Sequence, residues 1–259
     1  MDRRLLPTLS GVMALVISAP AAAQERVPAD QQGRLDDANI DRGWFGTTAM
    51  TQPAGTVAFN DYELILMGLT YAPTDRLQIT ATFLTPIVSD MCCYGLFGVK
   101  ARLVDAGRFH FSLLGSLALA SVQNVDLYGN GSSSGRGTSW AILAGGAATV
   151  CLDEACHSLA SAWLTTGFNQ YSDSSEWPIL YGASLTFGHH VKALLEIDSA
   201  ALLGDVTQAA RGALFTYGVR FTGQNIAGDV GFMRPFGEGV DTGSLVLGIP
   251  MLTFTWRTF

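Results

Sequence analysis

The chain reads as an all-β protein, a single antiparallel sheet closed into a barrel, and three observations predict it. Stretch after stretch alternates apolar with small or polar residues at a period of two, the signature of strands with two different faces. Mean hydropathy is +0.27 with only 14% charged residues, yet no run of about 18 apolar residues is available to form a spanning helix. Twenty-nine glycines, many inside the apparent strands, suit a curved sheet. An apolar chain without spanning helices must hide its surface in a core or show it to lipid as a closed barrel, the one sheet whose backbone groups are all paired within a bilayer.

The N-terminus is set apart from the fold. Met1-Asp2-Arg3-Arg4 is a short basic start, Leu5 to Ile17 is apolar, and Ala19-Pro20-Ala21-Ala22-Ala23 offers small residues for cleavage after Ala23. Residues 1–23 therefore read as a secretory signal peptide, and an exported protein is expected. No cysteine follows the cleavage site to carry a lipid. Residues 24–43 are polar, mixed in charge and without a period of two, which predicts a flexible or weakly helical lead-in. Residues 44–259 form the barrel domain.

Twelve strands are expected, over 44–50, 57–71, 77–87, 96–104, 108–122, 140–151, 156–170, 179–187, 191–202, 213–223, 226–234 and 245–257. In the second, Asp61 to Met67 is apolar on both faces, and its facing stays open. The fourth and fifth make the clearest hairpin. Phe97, Val99, Ala101 and Leu103 oppose Phe109, Phe111 and Leu113 across a turn at Asp105-Ala106-Gly107, which places Arg102 opposite His110 and Lys100 opposite Ser112. The seventh, with Trp163, Leu164 and Phe168, is again ambiguous. A three-residue turn at Gly188-His189-His190 pairs the eighth and ninth strands and leaves Lys192, Glu196 and Asp198 on the inner face. A two-residue turn at Gln224-Asn225 pairs Tyr217 with Phe232, Val219 with Val230, and Arg220 with Asp229. From the same registers Glu196 reaches toward Arg220. In the last strand the phase of alternation changes around Pro250, where the missing donor predicts a bulge.

The connections set the orientation. Short turns at 72–76, 105–107, 153–154, 188–190 and 224–225 alternate with longer polar segments at 51–56, 88–95, 123–139, 171–178, 203–212 and 235–244. Short periplasmic turns and long extracellular loops are the rule for outer-membrane barrels, with an even strand number leaving both termini on the short-turn side. Trp44 and Trp256 are expected at one rim and Trp140 and Trp177 at the other, as aromatic belts.

The inner face carries the functional expectation. Lys100, Arg102, His110, Lys192, Glu196, Asp198, Arg220 and Asp229 put both signs of charge in the lumen, where isolated ions are costly unless paired or wet. They line either a narrow polar pore for small solutes or a paired network that fills the barrel. Twelve strands decide nothing between the two, because eight leave a filled interior and sixteen leave a channel. The spot formed by Lys100, Arg102 and His110 needs acidic partners or water.

Other chemistry is weighed against this. A net charge of −7, more negative by one without the leader, disfavours a nucleic-acid partner. Cys151 and Cys156 flank a turn at Asp153-Glu154 and suit a disulfide in an oxidising compartment. Cys92-Cys93 could be a vicinal disulfide, two thiols or a metal contact; no histidine lies near them, so no metal site and no cofactor are assigned. The glycine- and serine-rich run Gly129–Gly137 lacks the lysine and the strand-to-helix setting of a phosphate-binding loop and reads as a flexible connection. Asp173, Glu176, Asp205, Glu238 and Asp241 are expected on the long loops, as a solvated acidic surface or as one that repels anions or binds divalent cations weakly.

The ending Leu252-Thr253-Phe254-Thr255-Trp256-Arg257-Thr258-Phe259 resembles the closing strand of Gram-negative outer-membrane barrels, with Phe259 out of phase with Leu252, Phe254 and Trp256. A bulge or a frayed end near Arg257 would reconcile them. Trp44 to Gly55, with Asp61-Tyr62-Glu63 and Tyr71 to Asp75, is similar to the opening hairpin of a family of small, porin-like exported barrels. These resemblances imply an outer-membrane location, lipid around the barrel, and recognition of the last strand by the barrel assembly machinery. They supply no catalytic residues. Outer-membrane phospholipases resemble the chain in size and strand number, but no strand carries their serine and histidine in matching context, so no enzyme activity is expected. The different-class alternative is a soluble secreted β-sandwich that binds a ligand.

Overall fold

The computed structural model describes residues 32–63, 66–84, 94–123, 136–171, 174–202, 212–237 and 247–259. Its sheet is a closed barrel of twelve antiparallel staves: β1 (Val57–Tyr62), β2 (Leu66–Thr74), β3 (Leu77–Leu84), β4 (Tyr94–Ala106), β5 (Phe109–Gln123), β6 (Arg136–Cys151), β7 (Leu159–Tyr171), β9 (Pro178–Gly188), β10 (Val191–Leu202), β11 (Gly212–Thr222), β12 (Ile226–Gly237) and β13 (Ile249–Thr258). A three-residue strand, β8 (Ser174–Glu176), folds back on β7. Neighbours along the chain pair around the ring, and β1 with β13 completes it. One continuous sheet closed on itself rules out the two-sheet sandwich. No helix among the described residues is long and apolar enough to cross a membrane.

Alternation along the staves sorts the side chains into an outer and an inner set. On β10, Val191, Leu195 and Ile197 are exposed on the outside while Lys192, Leu194 and Glu196 are buried inside. The outer surface is a continuous apolar belt, with Phe83, Phe97, Leu113, Ile142, Phe187 (65% exposed), Phe221 and Phe254 among its members. The facing left open in the second and seventh expected strands is resolved. Asn60 bonds inward to Thr70 and Thr255, which leaves Phe59 and Asp61 on the outer side. Leu164 is out, and Trp163 turns its indole toward Gly46 of the interior.

The Arg220–Asp229 hairpin has the expected register throughout. Two other hairpins are shifted, β9–β10 by two residues and β4–β5 by two beyond a bulge and by three at its turn. In β4–β5 the turn is Gly107-Arg108, with Gly107 at φ 59°, so His110 faces Asp105 and Arg102 faces Ser112, with a bulge at Leu103 between them. In β9–β10, Phe187 faces Ala193 and Leu185 faces Leu195. A shift of two preserves which face each residue shows, because the side-chain period is two. The bulge has a consequence: Leu103 and Val104 both point outward and Asp105 is brought against His110 and Arg102.

The largest correction concerns the opening of the chain. Residues 44–50 are not a strand, and the expected strand 57–71 is two staves, β1 and β2, joined around Glu63 at φ 58°. The count of twelve survives because these two differences cancel. Residues 33–56 instead lie inside the barrel. A helical turn, Gln32–Asp36, sits at the short-turn end, where Gly33 donates to the Ala155 carbonyl (2.8 Å) and Ala38 to that of Gly223 (3.2 Å). The chain then runs into the lumen, reaches its tip at Trp44–Gly46, and returns to the start of β1. Ile40 and Met50 of this plug pack on Cys151, Cys156 and Leu159, while Trp44 packs on Leu194, Met251 and Met233.

Smaller corrections follow from the same geometry. Trp256 lies at the short-turn rim and Trp177 at the other, with Trp140, Phe168 and Trp177 forming an aromatic chain at centroid distances of 5.4 and 6.0 Å. Trp44 belongs to neither belt, being 1% exposed inside the plug. β13 pairs without a register shift through Pro250, so there is no bulge; the phase change marks the start of the strand after Gly248, φ 98°. The strand also runs regularly through Arg257 and ends at Thr258, leaving Phe259 beyond it under the Arg257 guanidinium (4.9 Å). Cys151 and Cys156 form a disulfide with Cα atoms 4.7 Å apart, linking the end of β6 to the following turn instead of facing across two strands. Cys92, Cys93, residues 129–135 and the acidic Asp173, Asp205, Glu238 and Asp241 lie outside the described residues.

Candidate functional site

The site is the contact between the plug and the inner wall, and it is built from opposite backbone polarities. An irregular segment inside a barrel has carbonyls and N–H groups that must find partners. The wall supplies them by charge. Lys100 donates to the carbonyls of Asp41 (2.7 Å) and Met50 (3.0 Å). Arg220 donates to those of Asn39 (2.9 Å), Arg42 and Gly43 (both 3.1 Å). Arg257 donates to those of Arg34 (2.9 Å), Asp37 (3.1 Å) and Leu35, and to the Gln52 side chain (2.8 Å). Cationic donors to carbonyls are among the stronger hydrogen bonds available to a protein.

Glu196 performs the reverse task. Its carboxylate accepts three consecutive backbone N–H groups, from Trp44 (2.7 Å), Phe45 (2.7 Å) and Gly46 (2.8 Å). Successive amides converging on one anion form a nest. The tip fits this closely because Gly43 has no Cβ; one placed there would collide with the Glu196 carboxylate. Trp44 is seated on paired glycines of the wall, where a Cβ on Gly218 or Gly231 would lie 3.0 or 2.8 Å from its ring. The expected reach of Glu196 to Arg220 is therefore replaced by capture of the plug tip.

Side-chain pairs complete the contact. Lys192, fully buried, meets Asp37 at 2.7 Å, and Arg220 holds Asp229 through two bonds of 2.7 and 3.0 Å. Burial alone would push the Asp37 carboxyl up, but Lys192 and Arg220 together hold it well below the usual carboxylate range. Arg34 of the plug donates to the Thr51 and Gln52 carbonyls and to Asp75; burial and the neighbouring Arg102 pull its pKa down to about 10. Asp41 accepts from Gln52 (2.7 Å) and Gln78 (2.6 Å), and the Arg42 guanidinium stacks on Tyr62 at 4.4 Å. Thr149 and Ser112 bond both polar groups of Ala49.

Of the eight lumen residues expected from sequence, Lys100, Lys192, Glu196, Arg220 and Asp229 contact the plug directly, Asp229 through a 3.4 Å bond from Asn39. Arg102 and His110 are joined by Asp105, at 3.2 and 2.8 Å, the acidic partner that this spot required. Asp198 stands apart: its buried carboxylate makes no hydrogen bond to the plug and faces Glu196 and the Trp163 indole of the wall. The other nitrogen of His110 faces Cys151 Sγ at 3.3 Å, so this histidine sits against the disulfide and not against a serine. Arg257, Asp37, Arg34 and Gln78 were missed as site residues. Arg257 was legible as an inner-face cation from the alternation of β13; the plug residues had no periodic signal.

No protein-family model matches the sequence, and neither does any curated protein. Among solved structures the chain is similar to the OmpF of Salmonella typhi, solved in complex with daunomycin, at 13% identity and a TM-score of 0.32. The alignment covers 74% of this chain and 61% of that one, so this chain spans about three fifths of the porin's length. A likeness this distant carries no argument about what the chain does.

Proposed function

We propose that this is an outer-membrane barrel held closed by its own N-terminal segment, so that any passage of small solutes requires the plug to move. The observation that carries the reading is the Glu196 nest: a wall carboxylate bound to three plug amides, level with a Trp44 seated on wall glycines. A water-filled pore would leave such a carboxylate to solvent. The apolar outer belt fits lipid, since a closed barrel satisfies its backbone internally and can expose aliphatic and aromatic side chains to hydrocarbon. Export through a cleaved signal peptide fits the same location, with the plug entering from the periplasmic side. The reading includes no enzyme activity.

Planar-bilayer recording tests it. The full mature protein, folded in detergent and showing a heat-modifiable band, is expected to be silent. Removal of residues 32–52 is expected to give steady openings in an equally folded sample. Steady openings of the same size from the intact protein would overturn the plug reading and restore the open pore.

A further inference from the structure

At the short-turn mouth, three segments far apart in sequence bring metal-binding side chains together. Asp36 ends the helical turn of the plug, His157 lies in the β6–β7 turn and His189 in the β9–β10 turn. The Asp36 Oδ2 atom is 3.3 Å from His157 Nε2 and 3.7 Å from His189 Nε2, and the three ligand atoms lie within 4.8 Å of one another. From these positions we infer a binding site for a late first-row divalent cation of the zinc class, which latches the plug to the barrel rim.

The donor set and its spacing carry the inference. Zinc bonds to imidazole and carboxylate at about 2.0–2.1 Å, so tetrahedral donors stand about 3.3 Å apart. The two carboxylate-to-imidazole separations are within a few tenths of an ångström of that value. Both histidines offer Nε2, which needs the other ring nitrogen to keep the proton. For His157 that nitrogen, Nδ1, is 3.9 Å from the Asp153 carboxylate. Asp153 is itself fixed by the backbone N–H groups of His157 (2.9 Å) and Ser158 (2.6 Å). A carboxylate behind a ligating histidine is a recurrent support for metal sites, and here it faces the ring at ion-pair distance. The His157 and His189 rings already lie together, with centroids 3.8 Å apart and planes tilted by 58°, and His190 lies beside His189 at 3.9 Å without joining the donor set. Nitrogen and oxygen donors in this ratio favour zinc, copper or nickel over calcium and magnesium. Two protein nitrogens and one oxygen leave a fourth position for water.

The site joins parts that are otherwise separate. Asp36 moves with the plug, whereas both histidines belong to the barrel, so an ion bound by all three resists withdrawal of residues 33–56. Metal binding stands whether or not the barrel conducts, and its readout is separate from conductance.

The test uses tag-free full mature protein, stripped with chelator and titrated with zinc chloride by calorimetry and with cobalt(II) by visible absorption. One ion per chain is expected, with cobalt bands of four-coordinate intensity and a raised unfolding temperature. His157→Ala and His189→Ala should each weaken zinc by about 100-fold, Asp36→Asn should do likewise, and Asp153→Asn should cost about tenfold through the ring it supports. His190→Ala should bind as the parent does. A heat-modifiable band and unchanged circular dichroism check that each variant is folded. No zinc heat and no thermal shift in the parent would overturn the site, as would undiminished binding in the folded His157→Ala, His189→Ala double variant.

Discussion

Between the short turns and Trp44, Lys192, Arg220, Asp229 and Arg257 each hold a bonded partner, and most of those partners belong to the plug or are fixed by it. One alternation beyond Glu196 on the same face of β10, Asp198 has no bond to the plug and faces Glu196 and the Trp163 indole of the wall. The strands, the facing and the residue types are alike at both levels. What differs is the presence of the plug backbone, which ends its reach at Trp44–Gly46. The wall charges that meet the plug are thus bonded by its carbonyls and amides, whereas Asp198 is left to neighbours on the wall.

That contrast can be broken at three places. Arg220→Met removes the donor to three plug carbonyls and strands Asp229, and should cost about 3–5 kcal/mol, read as a lower urea midpoint in detergent. The double variant Arg220→Met, Asp229→Leu should recover part of the loss, since the uncompensated carboxylate is then gone; no recovery would mean the carbonyl bonds dominate. Glu196→Ala leaves three plug amides without an acceptor, a local cost of about 2–3 kcal/mol. Hydrogen exchange at Trp44, Phe45 and Gly46 should then speed up by about 30- to 150-fold while the β10 and β11 amides stay protected. The smallest effect is expected at Asp198→Asn, about 1 kcal/mol or less, because no bond to the plug is lost. If Asp198→Asn destabilised the protein as much as Glu196→Ala, the two levels of the lumen would not differ in the way the contacts indicate.

The barrel itself was legible because its evidence is local. Arg220 opposite Asp229 and Tyr217 opposite Phe232 follow from one two-residue turn, and even the hairpins misplaced in register kept Lys192, Glu196, Arg102 and His110 on the correct face. The first strand failed for a physical reason. Trp44, Met50 and Ile40 are apolar because they fill a lumen, and their short mixture of apolar and polar residues is indistinguishable in sequence from half a strand facing lipid. A weaker sign was available. Lys100, Arg102, Lys192, Arg220 and Arg257 outnumber Glu196, Asp198 and Asp229 on the inner face, so the wall by itself lacked acceptors.

From β3 onward, with β7 the exception, sequence alone thus determined most of the outward-facing residues, the succession of the staves and the charge of the inner wall, since each depends on alternation and on turns a few residues long. Only the tertiary structure decided what those charges meet. Closing the ring brings Asp36 to His157 and His189, and Glu196 to the amides of Trp44–Gly46, across separations of more than a hundred residues. No periodicity encodes such meetings, because they depend on which segment occupies a space that the barrel creates only once it has closed.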